Sequence, residues 1–323
     1  MKFIKLLFLI LIVGLSVSLH FLWGKEQKEI LLEEVLSIGC LDDDSLFMWA
    51  DVTTDLKGNI YVTDMMDYSI KKFNERGILM KKAGRRGQGP GEFIAVRLIE
   101  YFKGLIYVTD QSISGIQVFD EDLNYKKHIP LSLPILDFEI ISEEMIAVSS
   151  PQIANPGRII VIDSKGNSNV NIKHFGDMQN FWRNAVKFEI DNQGNLYTIF
   201  TFEDKIEKFD RNRKKLWSKS LLGKRKVKRR KTRVKIGPSE LPMEVAYKDI
   251  ALDNSANLFI LGGHLSKNPS RDVYVLDKQG RHLTTFTLPE SSHCIHVDHR
   301  NFLYARAGEG VTLKKFSIKY GKK

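Results

Sequence analysis

The feature that most constrains this chain is a strand–turn–strand unit that it repeats. The clearest copy is Asp55-Leu-Lys-Gly-Asn-Ile-Tyr-Val-Thr-Asp64, followed by Ser69-Ile-Lys-Lys-Phe-Asn-Glu-Arg-Gly77. Asp55 to Gly58 carries turn chemistry, because Asp bonds its own backbone and Gly tolerates a positive φ. Ile60 to Thr63 and Ile70 to Phe73 are short β-rich runs, separated by the polar loop Asp64 to Asp67 and closed by Asn74 to Gly77.

Five further copies align through the Ile-Tyr-Val run. They begin at Gly104, Met145, Asp191, Asp253 and Asp298, and each is followed by a second strand at Ile116, Ile159, Ile206, Val273 and Leu313. Tyr61, Tyr107, Ala147, Tyr197, Phe259 and Tyr304 mark a period of 40 to 50 residues, with one interval of 62. Each copy has room for four strands: one before the turn, the Ile-Tyr-Val strand, the Ile-x-x-Phe strand and one after the closing Gly. Six such copies predict an all-β chain, a six-bladed β-propeller of four-stranded antiparallel blades. The sixth copy ends after its third strand. Ile30 to Ile38 is expected to supply the fourth, closing the ring and leaving no open sheet edge at the seam.

Composition matters here mainly for location. The formal net charge is +10, but residues 224–235 hold nine Lys or Arg and no acid, so setting them aside leaves +1. The basicity is one local insert between blades 4 and 5. Lys2 and Lys5 precede an apolar run from Leu6 to Trp23, and Ser16-Val17-Ser18 offers small residues for cleavage. The run is about 18 residues, which also reaches the length of a membrane span. Residues 1–24 therefore read as a cleaved signal peptide or a membrane-anchor helix. Either puts the propeller, residues 25–323, outside the cytoplasm: secreted, periplasmic or anchored. Leu36 to Cys40 has the look of a lipoprotein cleavage box, but Glu33 and Glu34 separate it from the apolar run. Two cysteines exclude a disulfide scaffold. Cys40 falls beside an outer strand and Cys294 on an innermost one, about three spacings of ~4.8 Å apart. A bridge needs Cα atoms within roughly 7 Å, so two free thiols are expected.

Gly84-Arg-Arg-Gly87-Gln-Gly89-Pro-Gly91-Glu-Phe93 leads into the second blade. Joined to the Asp-x-x-Gly-Asn-Ile-Tyr-Val-Thr-Asp and Ile-x-x-Phe runs, it resembles the NHL-repeat family and related bacterial six-bladed propellers, over about residues 45–318. The resemblance implies the fold. It implies no single activity, since family members include RNA-binding, protein-binding, signalling and lyase-type proteins. The glycine cluster is followed by a strand and no Lys-Ser or Lys-Thr, unlike a phosphate-binding loop. A tight interblade turn with Gly at positive φ is the expectation.

Aligned without gaps, the position four residues before each turn Asp is Asp51, Arg97, Asp137, Lys187, Asp249 and Cys294. The next position is apolar throughout: Val52, Leu98, Phe138, Phe188, Ile250 and Ile295. Innermost strands that alternate this way aim one ionisable ring at the central channel. Either the ring pairs between blades, Asp51 with Arg97 and Asp137 with Lys187, or it is a polar ligand or metal site with Asp249 as the unmatched acid.

No catalytic residue is assigned. A Ser-His-Asp or Cys-His constellation and a Gly-x-Ser-x-Gly motif are absent. Lyase-type relatives would need a His-rich metal centre, which the chain does not match residue by residue. A divalent metal stays open through His264, His293 and His296, although 293 and 296 point to opposite faces of a strand.

Lys228, Arg229 and Arg230 sit in the middle of the basic insert. It reads as a solvated or lysine-guarded edge, or as a contact for an anionic membrane surface or acidic glycan. Without interleaved aromatics to stack bases, nucleic acid is disfavoured. Trp182 and Arg183, before the first strand of blade 4, form a candidate recognition patch or part of the packing. The expectation is a monomeric, extracytoplasmic binding or scaffold propeller whose partner is a protein, glycan or small polar ligand. A metal-dependent lyase or hydrolase on the same fold is the alternative.

Overall fold

The computed structural model describes residues 29–321, apart from 41–44, 151–158, 173–181, 183–184, 224, 235–236 and 308–309. The N-terminal apolar run and Arg183 lie outside the described residues. No helix among those described is long and apolar enough to cross a membrane.

Six four-stranded antiparallel sheets follow one another along the chain as the blades of a propeller. Blades 1 to 5 occupy 49–83, 96–130, 137–172, 186–219 and 247–287. Blade 6 takes three strands from 295–321 and its outermost from the other end of the chain, Glu29–Ile38. That strand pairs antiparallel with Thr312–Gly321, from Glu29 opposite Gly321 to Ile38 opposite Leu313, and buries Ile30 and Ile38. The closure expected from the missing sixth-copy strand is what holds the ring together.

Each blade is apolar on both faces, so the core is a set of wedges between neighbours. Val52, Ile60 and Phe73 of blade 1 pack on Tyr304 and Leu313 of blade 6. Ile199 and Ile206 of blade 4 meet Ile250 and Ile260 of blade 5. Such a core explains why the second strands read as unbroken apolar runs: Ile60–Asp64, Leu196–Phe200 and Leu258–Gly262 are buried at every residue.

The repeated turn earns its sequence. Asp55 Oδ1 accepts the Lys57 and Asn59 N–H groups, both at 2.9 Å, while Oδ2 accepts the Tyr61 hydroxyl at 3.1 Å. Asp191 does the same for Gln193, Asn195 and Tyr197, and Asp298 for Arg300, Phe302 and Tyr304. The Tyr ring then supports a lysine from the third strand. Lys72 lies over Tyr61 and donates to the Glu121 carbonyl of blade 2 at 2.8 Å. Lys208 lies over Tyr197 and donates to the Lys278 carbonyl of blade 5 at 3.0 Å. A motif that looks local thus ties each of these blades to the next one.

The glycine cluster is an interblade turn, with a division of labour. Gly84 has φ +105°, and a Cβ there would lie 2.7 Å from the Tyr68 carbonyl oxygen. Gly87 has ordinary φ; it makes room for the Glu92 carboxylate, which accepts the Gly89 N–H at 2.9 Å and the Arg85 Nε at 2.7 Å. Cys40 is exposed, Cys294 is buried, and both are free thiols.

Innermost strands all run from one face of the disc, called upper here, to the other. The upper face carries the loops between second and third strands and the insert; the lower face carries the Asp turns. The insert is a two-stranded hairpin, Arg229–Val234 with Gly237–Pro242.

Candidate functional site at the central channel

The innermost strands place two layers of side chains on the channel axis. The upper layer is Asp51, Leu98, Asp137, Lys187, Asp249 and Cys294; the lower is Thr53, Glu100, Glu139, Glu189, Ala251 and His296. Two residues separate the layers along each strand, about 6.6 Å.

Arg97 is not a member of the ring. It is exposed at the upper rim, and Leu98 takes its register position. The reason is the turn that follows. Blade 2 reverses over Lys103-Gly104, two residues with φ +46° and +84°, and so has one residue fewer between Glu100 and Tyr107 than blade 1 has between Thr53 and Tyr61. Blade 3 also reverses over two residues, Glu143-Glu144, but a bulge between Ile140 and Ser142 restores the count and brings Asp137 into place.

The pairing within the upper layer also differs from the expected one. Lys187 bonds Asp249, at 2.6 Å, and not Asp137. Burial opposes its charge, but Asp249, Asp137 and Asp51 together hold its pKa above the ordinary lysine value. The three Asp residues share one further task. Asp51 Oδ2 accepts the Ile99 N–H of blade 2 at 3.0 Å, Asp137 Oδ2 the Phe188 N–H of blade 4 at 2.8 Å, and Asp249 Oδ2 the Ile295 N–H of blade 6 at 2.7 Å. Each clasps the innermost strand of the following blade. Burial pushes Asp51 up to about 6 and Asp137 up to about 7, against the pull of Lys187.

The lower layer holds three carboxyl groups absent from the expected ring: Glu100, Glu139 and Glu189. Burial raises all three well above the ordinary range, joined by repulsion from Glu189 at Glu100 and Glu139 and from Asp137 and Asp249 at Glu189. Glu139 and Glu189 were visible in the sequence as the i+2 positions of the same alternation; Glu100 was hidden by the blade 2 turn. Below this layer a cleft of about 610 Å³ opens on the lower face between blades 4, 5 and 6. Glu189 reaches it from the channel, and Asn192, Asn254, Ser255, Lys278 and His299 line it.

The histidines do not assemble. His296 is on the axis, held by Thr54 at 3.3 Å and tilted against the Tyr304 ring, with its pKa lowered to about 4 by burial. His293 and His264 lie on the upper face, where His264 Nδ1 accepts the Val245 N–H at 3.0 Å. Among the described residues no group of three His, Cys, Asp or Glu is placed to hold a metal ion.

The two surface candidates, in contrast, meet. Trp182 packs edge-on to Phe202 at 5.4 Å, and Arg229 donates to the Phe202 carbonyl at 3.2 Å. Val227 is buried against blade 5, while Lys228 and Arg230 are exposed on the hairpin.

The sequence matches no protein-family model and no curated protein. The fold is shared with solved structures at low identity. A protein from Bacteroides fragilis described as exported is 12% identical, with 93% of this chain and 97% of that one covered and a TM-score of 0.60. A member of the DUF4221 family from Bacteroides vulgatus is 14% identical, with 92% and 100% covered and a TM-score of 0.58. Virginiamycin B lyase from Staphylococcus aureus is 12% identical, with 90% and 100% covered and a TM-score of 0.56. The chain is similar to these proteins in architecture, that of a β-propeller.

Proposed function

We propose that the protein is an extracytoplasmic binding module that takes a small polar ligand in the cleft at the lower mouth of its channel. The observation that carries this reading is the cleft itself: about 610 Å³, walled by three Asp turns and presenting amide, hydroxyl, ammonium and imidazole groups around the Glu189 carboxyl. A concave site of about 610 Å³ falls in the size range of small-molecule sites, and a lining more polar than is usual there suits a polar ligand. The upper-layer acids support the reading differently. Their oxygens are already engaged by Ile99, Phe188, Ile295 and Lys187, which makes them blade-to-blade clasps.

The apolar run of residues 6–23 supports the compartment, as does a fold shared with a protein described as exported. The closing strand starts at Glu29 on the lower face, whereas the basic hairpin projects from the upper one. A bilayer that held residues 1–24 would face the lower surface. The hairpin would then point away from it, toward a soluble acidic partner, and the lower cleft would remain open to small solutes.

The test is thermal unfolding of the full chain with monosaccharides, disaccharides and neutral amino acids. A ligand at a hundred times its dissociation constant stabilises by about 2.7 kcal/mol. Ser255→Trp, at an exposed turn position, fills the cleft without touching the core. The reading requires a stabilising ligand whose effect Ser255→Trp abolishes; a panel without effect, or a shift that survives the blockade, removes it.

A further inference from the structure

Three blades mount a lysine on the third strand opposite the Tyr of the second: Lys72 opposite Tyr61, Lys208 opposite Tyr197 and Lys315 opposite Tyr304. Each ammonium lies over that ring. What else it meets depends on the turn after the third strand of the following blade. Lys72 donates to the carbonyl of Glu121, second residue of the turn opened by Asp120, and lies 3.4 Å from the Asp122 carboxylate. The same turn position in blade 1, the blade that follows Lys315 around the ring, is Glu75. Lys208 donates in the same way to the carbonyl of Lys278, second residue of the turn opened by Asp277, and Gln279 comes next. Two junctions carry acids at this point and the third carries another cation. That third junction is the one bordering the lower cleft, which both Lys208 and Lys278 line.

We infer that the ligand of the lower cleft is a sugar acid whose carboxylate is held by Lys208 and Lys278. The inference rests on the small-ligand reading of that cleft and names the class of ligand. Lys208 is buried, and among the described residues it forms no ion pair; its one hydrogen bond goes to the Lys278 carbonyl at 3.0 Å. An ammonium with a single acceptor keeps two N–H donors to present, and a buried charge calls for a partner. Lys278 is exposed beside it, also without an ion pair among the described residues. Burial lowers the pKa of Lys208 and Lys278 adds to the effect, against the attraction of Asp191 and Asp277. An anion bound by both ammonium groups relieves that strain.

The carboxylates around the cleft are engaged elsewhere. Asp191 accepts from Gln193, Asn195 and Tyr197, Asp253 from Ser255, Asn257 and Tyr320, and Asp298 from Arg300, Phe302 and Tyr304. Burial raises Glu189 well above the ordinary range, which favours its neutral acid. The same turns argue for a carboxylate over a phosphate. Backbone N–H groups, which commonly cradle phosphate, are here spent on the turn Asp residues. Asn192, Asn254 and Ser255 offer amide and hydroxyl groups to a hydroxylated body.

The experiment titrates the full chain with glucuronate against glucose, and galacturonate against galactose, by calorimetry at constant ionic strength. At least one acid is expected to bind about tenfold more tightly than its neutral parent, the scale of one charge-assisted hydrogen bond. Lys278→Met, at an exposed position, and Lys208→Met are each expected to bring the acid down toward the neutral sugar. Lys72→Met, which removes the matching lysine of blade 1, is expected to leave the preference intact. Equal affinity for acid and parent, with Ser255→Trp abolishing both, would overturn the inference and leave the cleft as a small-molecule site. An acid preference that survives both Lys208→Met and Lys278→Met would also overturn it. If no sugar or sugar acid binds, this inference falls, while the neutral amino acids still decide the broader reading of the cleft.

Discussion

The Lys187 ammonium lies 2.6 Å from the Asp249 carboxylate, joining the innermost strands of blades 4 and 5 beside the channel. The two side chains keep 19% and 9% exposure. Removing one member of a buried pair costs about 3–5 kcal/mol because its partner is left charged and dry. Lys187→Met is therefore expected to destabilise by a value near the low end of that range, given its residual exposure. Asp249→Asn keeps an oxygen for the Ile295 N–H, so the double variant is expected to recover part of the loss. Chemical denaturation of the four proteins of this cycle measures the coupling; additive effects would dismiss the pair as a structural unit.

The channel acids also predict an unusual pH profile. Asp51 and Asp137 titrate in the folded protein at about 6 and about 7, above the ordinary Asp value, because burial disfavours their charge. An acid whose folded pKa is raised binds more protons folded than unfolded, so it adds stability at low pH and loses it as pH rises through the folded value. Glu100, Glu139 and Glu189 shift in the same direction. His293 and His296, lowered to about 4 mainly by burial, act in the opposite sense until the unfolded histidines have titrated at about 6.5, so the melting temperature is expected to fall above that value, to pH 7.5, and Asp137→Asn is expected to flatten that fall. A 1 kcal/mol contribution corresponds to about 2–4 °C in large domains. Further into acid the sign reverses, since Asp67 and Asp120 are held below the ordinary range by lysines that outweigh burial. A melting temperature that rises from about pH 6.5 to pH 7.5, or a profile that Asp137→Asn leaves unchanged, would count against the buried-acid account.

How much of this could be read from the residues is clear at three positions. Asp55 announced its turn because the same carboxylate serves two nearby N–H groups and Tyr61, all within six residues. Asp249 takes the register position on the innermost strand that the alternation gives it, but its partner was not legible: Lys187 has acids on either side in the ring, and the choice between them is made by three-dimensional packing. Arg97 was misplaced for a more instructive reason. Alignment without gaps assumes equal turn lengths, and the Lys103-Gly104 reversal shortens blade 2 by one residue, which rotates a strand side chain to the opposite face. The bulge in blade 3 repairs the same shortening, and nothing in its residue types signals that repair.

Ring closure gives a prediction about the chain ends. Ile38 is buried with Leu46, Trp49 and Leu313, where blade 6 meets blade 1. Truncating a buried Ile to Ala costs about 2–5 kcal/mol. Ile38→Ala is expected to fall in that range, whereas Leu31→Ala, 53% exposed on the same strand, stays within about 0.5 kcal/mol. Deleting residues 29–38 exposes the edge of Thr312–Gly321 and is expected to yield oligomers on size exclusion, as unpaired edges do.

The basic hairpin separates into a rooted base and a free arm, and the two respond differently to charge. Val227 is buried with Leu265 and Tyr247, and Arg225 donates to the Leu265 carbonyl at 2.8 Å. An acid at this point has no partner, so Val227→Asp is expected to cost more than about 2 kcal/mol. Lys226, Lys228 and Arg230 are exposed, and the Lys228–Glu244 contact of 3.4 Å is a surface pair worth about 0–1 kcal/mol. Reversing all three to Glu is therefore expected to leave the melting temperature within a few degrees of the wild type. Any acidic partner held by the arm is expected to dissociate, and in the wild type its binding is expected to weaken with salt, since exposed charges are screened over about 8 Å at physiological ionic strength. Pull-down with the wild-type and reversed chains at two salt concentrations makes the comparison. A partner retained by the reversed chain would assign its binding to Trp182 and Phe202 beside the hairpin, and a collapsed fold would assign the arm a structural role.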